Sequence, residues 1–307
     1  MCQTRNRYLF WFLILPLLVA GCGDKNPPKK QLSPAAQLAR AKKLSDPAER
    51  SQALTEAALR YLDAADSGGA RSTLLLATQA AEEIKKREAV KRAATYTLLA
   101  KVWYQAEGTN DDNCKDAYRD AEKSVQRINN PIEKTEALLN LAELKNDIDK
   151  KTSAKKHLDA GTKGVENIED PVERVRLLGK LARFYAKIGK DQDAKTTIQS
   201  ALGLAEAEKD AGKKAKLLIQ IAGEQMGALK DRASGMATLD EAHQLADTLA
   251  NNPNRQANLM IDIAQVFNAT GQKTKARKLL DTAEKICRGR SECKPAMKRI
   301  EKIRDQM

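Results

Sequence analysis

The side chains most able to do covalent or metal chemistry in this 307-residue chain are five cysteines and two histidines. Cys287 and Cys293 flank five small or polar residues in CRGRSEC. That spacing lets a short loop close into a disulfide and excludes a CxxC redox pair; two free thiols are the alternative. Cys114 stands in a series of alanines and reads as a small core residue. His157 and His243 each sit alone on a charged stretch, without a second histidine or cysteine at ligand spacing, so we expect no metal. Asp111-Asp112 lies in a loop, GTNDDN, with too few further oxygen ligands for calcium. No nucleophile–base–acid set, glycine-rich phosphate loop or paired carboxylate pattern is present. The expectation is a chain that binds, with neither catalysis nor a cofactor.

One more cysteine is placed for chemistry. Residues 1–22 read MCQTRNRYLFWFLILPLLVAGC. Arg5 and Arg7 precede an apolar run from Tyr8 to Ala20, shorter than the roughly twenty residues a membrane span needs. The tetrad Val19-Ala20-Gly21-Cys22 resembles a bacterial lipobox. That resemblance implies a signal peptide over residues 1–21 that takes Cys2 with it, cleavage before Cys22, and lipid on the Cys22 thiol. An ordinary signal peptide, with Cys22 unmodified or disulfide-bonded, is the alternative. More than one acyl chain gives a stable anchor where a single chain is marginal. Gly23 follows the cysteine and aspartate comes only at Asp24, which by lipoprotein sorting rules implies the outer membrane, facing the periplasm. Residues 22–33 form a lipidated tether with Pro27-Pro28 and three lysines, Lys25, Lys29 and Lys30. Those lysines either keep the linker solvated or touch anionic headgroups.

The rest of the chain must position whatever binds. Hydrophobic residues make up 42% and aromatic residues only 4%, with alanine, leucine, lysine and glutamate dominant, a helix-forming composition. Ser33-Pro34 marks a first helix running to about Leu44. Asp46-Pro47-Ala48-Glu49 is then a cap, a first-turn proline and a glutamate three residues on. The device recurs at Asn130-Pro131 and Asp170-Pro171, without the glutamate at Asn252-Pro253, and as a bare cap at Asp210-Ala211. Glu88-Ala89 holds the register with no such device. First helical positions at 47, 89, 131, 171, 211 and 253 give a period of 40–42 residues. Eleven residues after each start stands an alanine: Ala58, Ala100, Ala142, Ala182, Ala222 and Ala264. The returning helices carry small residues seven apart, as in Ala194/Ala201 and Ala276/Ala283, so each pair lies on one face two turns apart. The prediction is an all-α chain, an α-solenoid of about six antiparallel helical hairpins over residues 34–288. Residues 289–307 then form a loop and a short C-terminal capping helix with Met297, Ile300 and Ile303 on one face.

Within this array, Leu181, Ala182, Tyr185, Gly189, Ala194, Ile198 and Ala201, and again Ile263, Ala264, Phe267, Gly271, Ala276, Leu280 and Ala283, resemble the tetratricopeptide repeat. The period is longer than that family's 34 residues. The resemblance implies a groove lined by the first helices. Its positions fall on Ala94, Thr97, Lys101 and Tyr104, then Glu136, Glu143 and Asp147. Further along they fall on Arg176, Arg183 and Lys187, on Lys216 and Met226, and on Asn258, Gln265 and Asn268. Arg176, Arg183, Lys187 and Lys216 would make the middle of the groove basic, suited to a carboxylate tail or acidic peptide. The net charge of +13 fits either a lysine-rich solvated surface or attraction to acidic proteins or anionic membranes. With no arginine cluster interleaved with aromatics, nucleic acid is not an expected partner. The expected function is a lipid-anchored adaptor for a protein partner. Self-association into a homo-oligomer, or binding of peptidoglycan or another anionic envelope polymer, are the rivals.

Overall fold

A computed structural model describes residues 32–148 and 151–307. The signal segment, Cys22 and most of the tether lie outside the described residues. Helix α1 (Pro34–Ala41) starts where Ser33 accepts a bond from the Ala36 N–H. It ends three residues short of the expected Leu44, because the chain turns there to reach the extended Asp46 that Pro47 requires, with the Arg50 guanidinium donating to the Leu44 carbonyl at 3.0 Å.

Six helical hairpins follow. They are α2 (Pro47–Asp63) with α3 (Ser67–Glu82), α4 (Ala89–Glu107) with α5 (Asp112–Gln126), and α6 (Pro131–Asp147) with α7 (Lys151–Val165). Then come α8 (Pro171–Lys187) with α9 (Asp191–Ala207), α10 (Ala211–Gly227) with α11 (Arg232–Asp247), and α12 (Pro253–Ala269) with α13 (Lys273–Cys287). A single 3-10 turn, Ser291–Cys293, leads into α14 (Lys294–Asp305). All six first helices begin at the residues the sequence repeat predicts. Asp46, Asn130, Asp170, Asp210 and Asn252 each accept backbone N–H bonds as caps, whereas Glu88 makes no side-chain cap. Glu173 leaves its cap and reaches forward to Arg176, with a bond of 2.8 Å.

The small residues are what let the helices close. Every alanine of the first series is at most 1% exposed. In the returning helices Ala154, Ala194, Ala201, Ala276 and Ala283 are fully buried, and Cys114 fits the same place with its thiol donating to the Ala100 carbonyl. Each hairpin packs its two helices together, and each first helix also packs on the first helices before and after it. Helix α14 lies on α12 and α13, burying Ala296, Ile300 and Ile303, and closes the end of the array. The buried residues form two clusters that divide on α6: Leu138, Leu141 and Leu144 join the N-terminal one, Leu139 and Ala142 the C-terminal one.

Among the described residues, four of the turns between paired helices use a left-handed residue. Gly189 and Gly271 take φ of +73° and +80°, and the next N–H closes back on Tyr185 and Phe267. In two other hairpins the left-handed place falls to Ala65 (φ 58°) and Lys230 (φ 56°), where a Cβ is strained. Ala65→Gly should therefore stabilise the chain by roughly 0.5–1 kcal/mol, read as a higher urea midpoint at unchanged slope.

Candidate functional site

The first helices share one face, and ion pairs cross every seam along it. Lys91 on α4 meets Asp46 at the head of α2, at 3.3 Å, and Lys101 meets Asp147 of α6 at 3.1 Å. Arg176 and Lys180 on α8 converge on Glu136 of α6 at 3.0 and 3.2 Å, and Lys187 reaches Glu143 at 3.2 Å. Arg183 holds Glu224 of α10 through both Nε and Nη2, and Arg255 of α12 forks onto Asp210. Arg299 of α14 donates to Asn258, Asp262 and Gln265 of α12, so the capping helix takes the place of a seventh first helix.

Glycines make room for this ladder. A Cβ at Gly212 would stand 2.3 Å from the Arg255 Nε, and one at Gly179 would stand 3.0 Å from the Glu224 Cγ. The half-exposed Arg176–Glu136 pair stabilises by less than about 1 kcal/mol once water screens it. Ordered across consecutive seams, such pairs do more to fix the register of one hairpin on the next than to hold the chain folded.

Three of the four basic residues expected to face a ligand are thus committed. Arg176 carries two carboxylates, Arg183 one and Lys187 one. Lys216 is exposed and, among the described residues, makes no ion pair, so it is the free cation of the four. Ala94, Thr97 and Glu136 do come together, in a shallow hollow of about 250 Å³ between α4 and α6. Met226 does not face the groove: it is buried, packed where Gly235 leaves space. Asn258 and Gln265 are covered by Arg299. The signal for the ladder was present in the sequence, because acid and base stand 40–46 residues apart, close to one repeat period.

Burial raises the Glu136 pKa, but the bonds from Arg176 and Lys180 outweigh it, and the carboxyl sits below its ordinary 4.5. The Glu224 bond raises Arg183. On α7, His157 is partly buried and pushed below its ordinary 6.5, mainly by desolvation. Both depressed groups contribute stability that is present above their unfolded values and lost as pH falls through their folded ones. The melting temperature should therefore be flat from about pH 7 to 8, above which the thiols raised by burial begin to ionise in the unfolded chain. It should begin to fall below about pH 6.5 through His157 and fall further below about pH 4.5 through the ladder. His157→Gln should remove the first decline and leave the second.

Cys287 and Cys293 are both buried free thiols, at the end of α13 and in the 3-10 turn that follows it. Burial first, and the neighbouring Cys293 second, push Cys287 up to about 12. Among the described residues no cluster of three metal-ligating side chains is assembled, and no helix is long and apolar enough to cross a membrane.

No protein-family profile matches the chain, and no functionally curated protein does. Among solved structures, the chain is similar to Ton1535 from Thermococcus onnurineus NA1 at 14% identity, over 87% of this chain and 94% of that one, with a TM-score of 0.39. It is similar to BtubC from P. vanneervenii at 15% identity, over 83% and 91%, with a TM-score of 0.39. A circular tandem repeat protein with a novel repeat topology gives 11% identity over 89% and 75%, with a TM-score of 0.46. At this distance the likenesses carry no functional information.

Proposed function

We propose that the chain is a lipid-anchored adaptor of the bacterial envelope, tethered through Cys22 to the outer membrane and facing the periplasm. Its TPR-like hairpins hold a protein partner along the face of the first helices. The observation that carries this reading is the ladder itself. Ion pairs at each seam keep neighbouring first helices in one register, so a partner meets a preformed surface and the ordering cost of binding is small. A helical-repeat fold of this kind is consistent with a scaffold role in general.

The ladder also narrows what the partner must offer. A carboxylate entering at Arg183 or Lys187 competes with Glu224 or Glu143, whereas one entering at Lys216 competes with none. Lys216→Glu therefore tests the face without breaking an internal pair. Purified with its associates from solubilised membranes, the Lys216→Glu chain should lose a partner that Lys195→Glu, on the returning helix α9, retains. Equal recovery with both variants would contradict the reading, and concentration-dependent mass of the isolated chain would favour the homo-oligomer. In the oxidising periplasm Cys287 and Cys293 should be bridged, tying α13 to the capping helix. Alkylation of the denatured, unreduced chain should then leave both unmodified.

A further inference from the structure

The hairpins give the array two edges, one made by the loops between hairpins and the other by the turns within them. Where the chain enters, two loops of the first edge are basic. The loop after α1 carries Lys42 and Lys43, and the loop between α3 and α4 carries Lys85, Lys86 and Arg87. All five are exposed and, among the described residues, none makes an ion pair. The two loops are held side by side. The Arg50 guanidinium donates to the Leu44 carbonyl at 3.0 Å and to Glu83 at 2.5 Å, and Arg92 donates to the Ile84 carbonyl at 2.6 Å. Three carboxylates at this edge, Asp46, Glu83 and Glu88, are engaged by Arg50 and Lys91. Glu49 and Glu82 remain there, against Arg40 and the five cations of the loops.

Charge changes along this edge and across the array. The loop at 166–170 of the same edge reads ENIED. At the opposite edge the turns of the first two hairpins carry Asp63, Asp66, Asp111 and Asp112. The first two hairpins are therefore polarised, basic at one edge and acidic at the other.

The point of entry of the chain says what the basic edge meets. Ser33 caps α1, and the eight residues of that helix place the basic loops about 12 Å further on. Ten residues lead from Cys22 to Leu32 and span at most about 35 Å of extended chain. A lipid on Cys22 thus keeps this edge within reach of the bilayer surface. An anionic surface attracts each Lys or Arg brought within a Debye length and repels the acidic turns.

We propose that the edge formed by Lys42, Lys43, Lys85, Lys86 and Arg87 lies on the anionic phospholipid headgroups of the membrane that holds the anchor, and so orients the array. The proposal rests on the Cys22 reading and adds an electrostatic contact that fixes which edge faces the lipid. Helix axes run from one edge to the other, so an array seated this way leaves the face of the first helices open to a partner.

The test uses the lipidated full chain in nanodiscs of phosphatidylcholine, alone or mixed with phosphatidylglycerol. Lysine acetylation by a dissolved reagent is timed and read at each site by peptide mass spectrometry. In the anionic discs Lys42, Lys43, Lys85 and Lys86 should react about fivefold more slowly than in neutral ones, the factor one cation gains at an anionic surface, and high salt should abolish the difference. Lys151 and Lys190, at the opposite edge, should react alike in both. In Lys42→Gln/Lys43→Gln/Lys85→Gln, Lys86 should lose its protection while the chain stays on the disc. Equal rates in neutral and anionic discs, equal slowing at Lys151 and Lys190, or protection that survives the triple substitution would each overturn the proposal. Slowing in native membranes but not in anionic discs would assign the edge to a protein and overturn it too. A chain that stays with neither disc contradicts the Cys22 reading instead. That unanchored chain should still sediment with phosphatidylglycerol vesicles at low salt, and failure to do so would overturn the basic edge as well.

Discussion

Replacing Trp103 with alanine should cost about 3–5 kcal/mol, the range for deleting a large buried aromatic. Trp103 is fully buried on α4, among Leu74, Tyr96 and Leu99, and its indole N–H donates to the Thr78 hydroxyl of α3 at 3.2 Å. The variant loses the packing of the ring and leaves Thr78 without that donor. In a repeat array such losses stay local, because each hairpin contacts only its neighbours. The two-cluster core sharpens the expectation. Hydrogen exchange should show protection lost over α2 to α5 and largely kept over α8 to α13, since Trp103 belongs to the N-terminal cluster alone. Trp103→Phe, which keeps a ring in place, should lose much less. Uniform loss across all hairpins would mean that the break at α6 does not divide the folding of the chain.

The second large effect concerns anchoring. Cys22→Ser removes the thiol that the proposed lipid modification requires. Buried acyl carbon is worth about 0.8 kcal/mol per CH₂ group, so losing every chain should move the protein almost wholly from the membrane to the soluble fraction, or leave an unprocessed precursor. Normal processing with unchanged membrane partition would remove the lipobox from the account. Cys22 precedes the repeat array in the sequence, so stability of the hairpins should not change, and this separates loss of anchor from loss of fold.

The sequence made the hairpins legible because they are built from local devices. Asp46, Asn130, Asp170 and Asn252 are caps followed by proline, and each acts only on its own first turn. The alanines at 58, 100, 142, 182, 222 and 264 carry packing information at a single position, and all are buried. Even Glu88-Ala89, with no cap, starts α4 where the period demands, because packing of neighbours overrides a missing local signal. The end of α1 was less legible, since it is set by the reach of the chain to Asp46 rather than by a stop signal.

The candidate site was readable only in part. Arg176, Arg183 and Lys187 were identifiable as charges on the first-helix face, yet their neutralisation by Glu136, Glu224 and Glu143 depends on how consecutive hairpins are rotated. A spacing of 40–46 residues hints at such pairs without fixing which face of the helix they share. Met226 was misplaced for the same reason: Gly235 on the returning helix leaves the space that buries it.

The measurement that bears most directly on the adaptor reading is photocrosslinking in intact cells, with a photoreactive residue at Arg183 on the first-helix face or at Gln199 on the returning helix α9. The account predicts one discrete protein adduct from position 183 and none from 199. Adducts of the same protein from both positions, or from neither, would contradict a partner seated along the first helices.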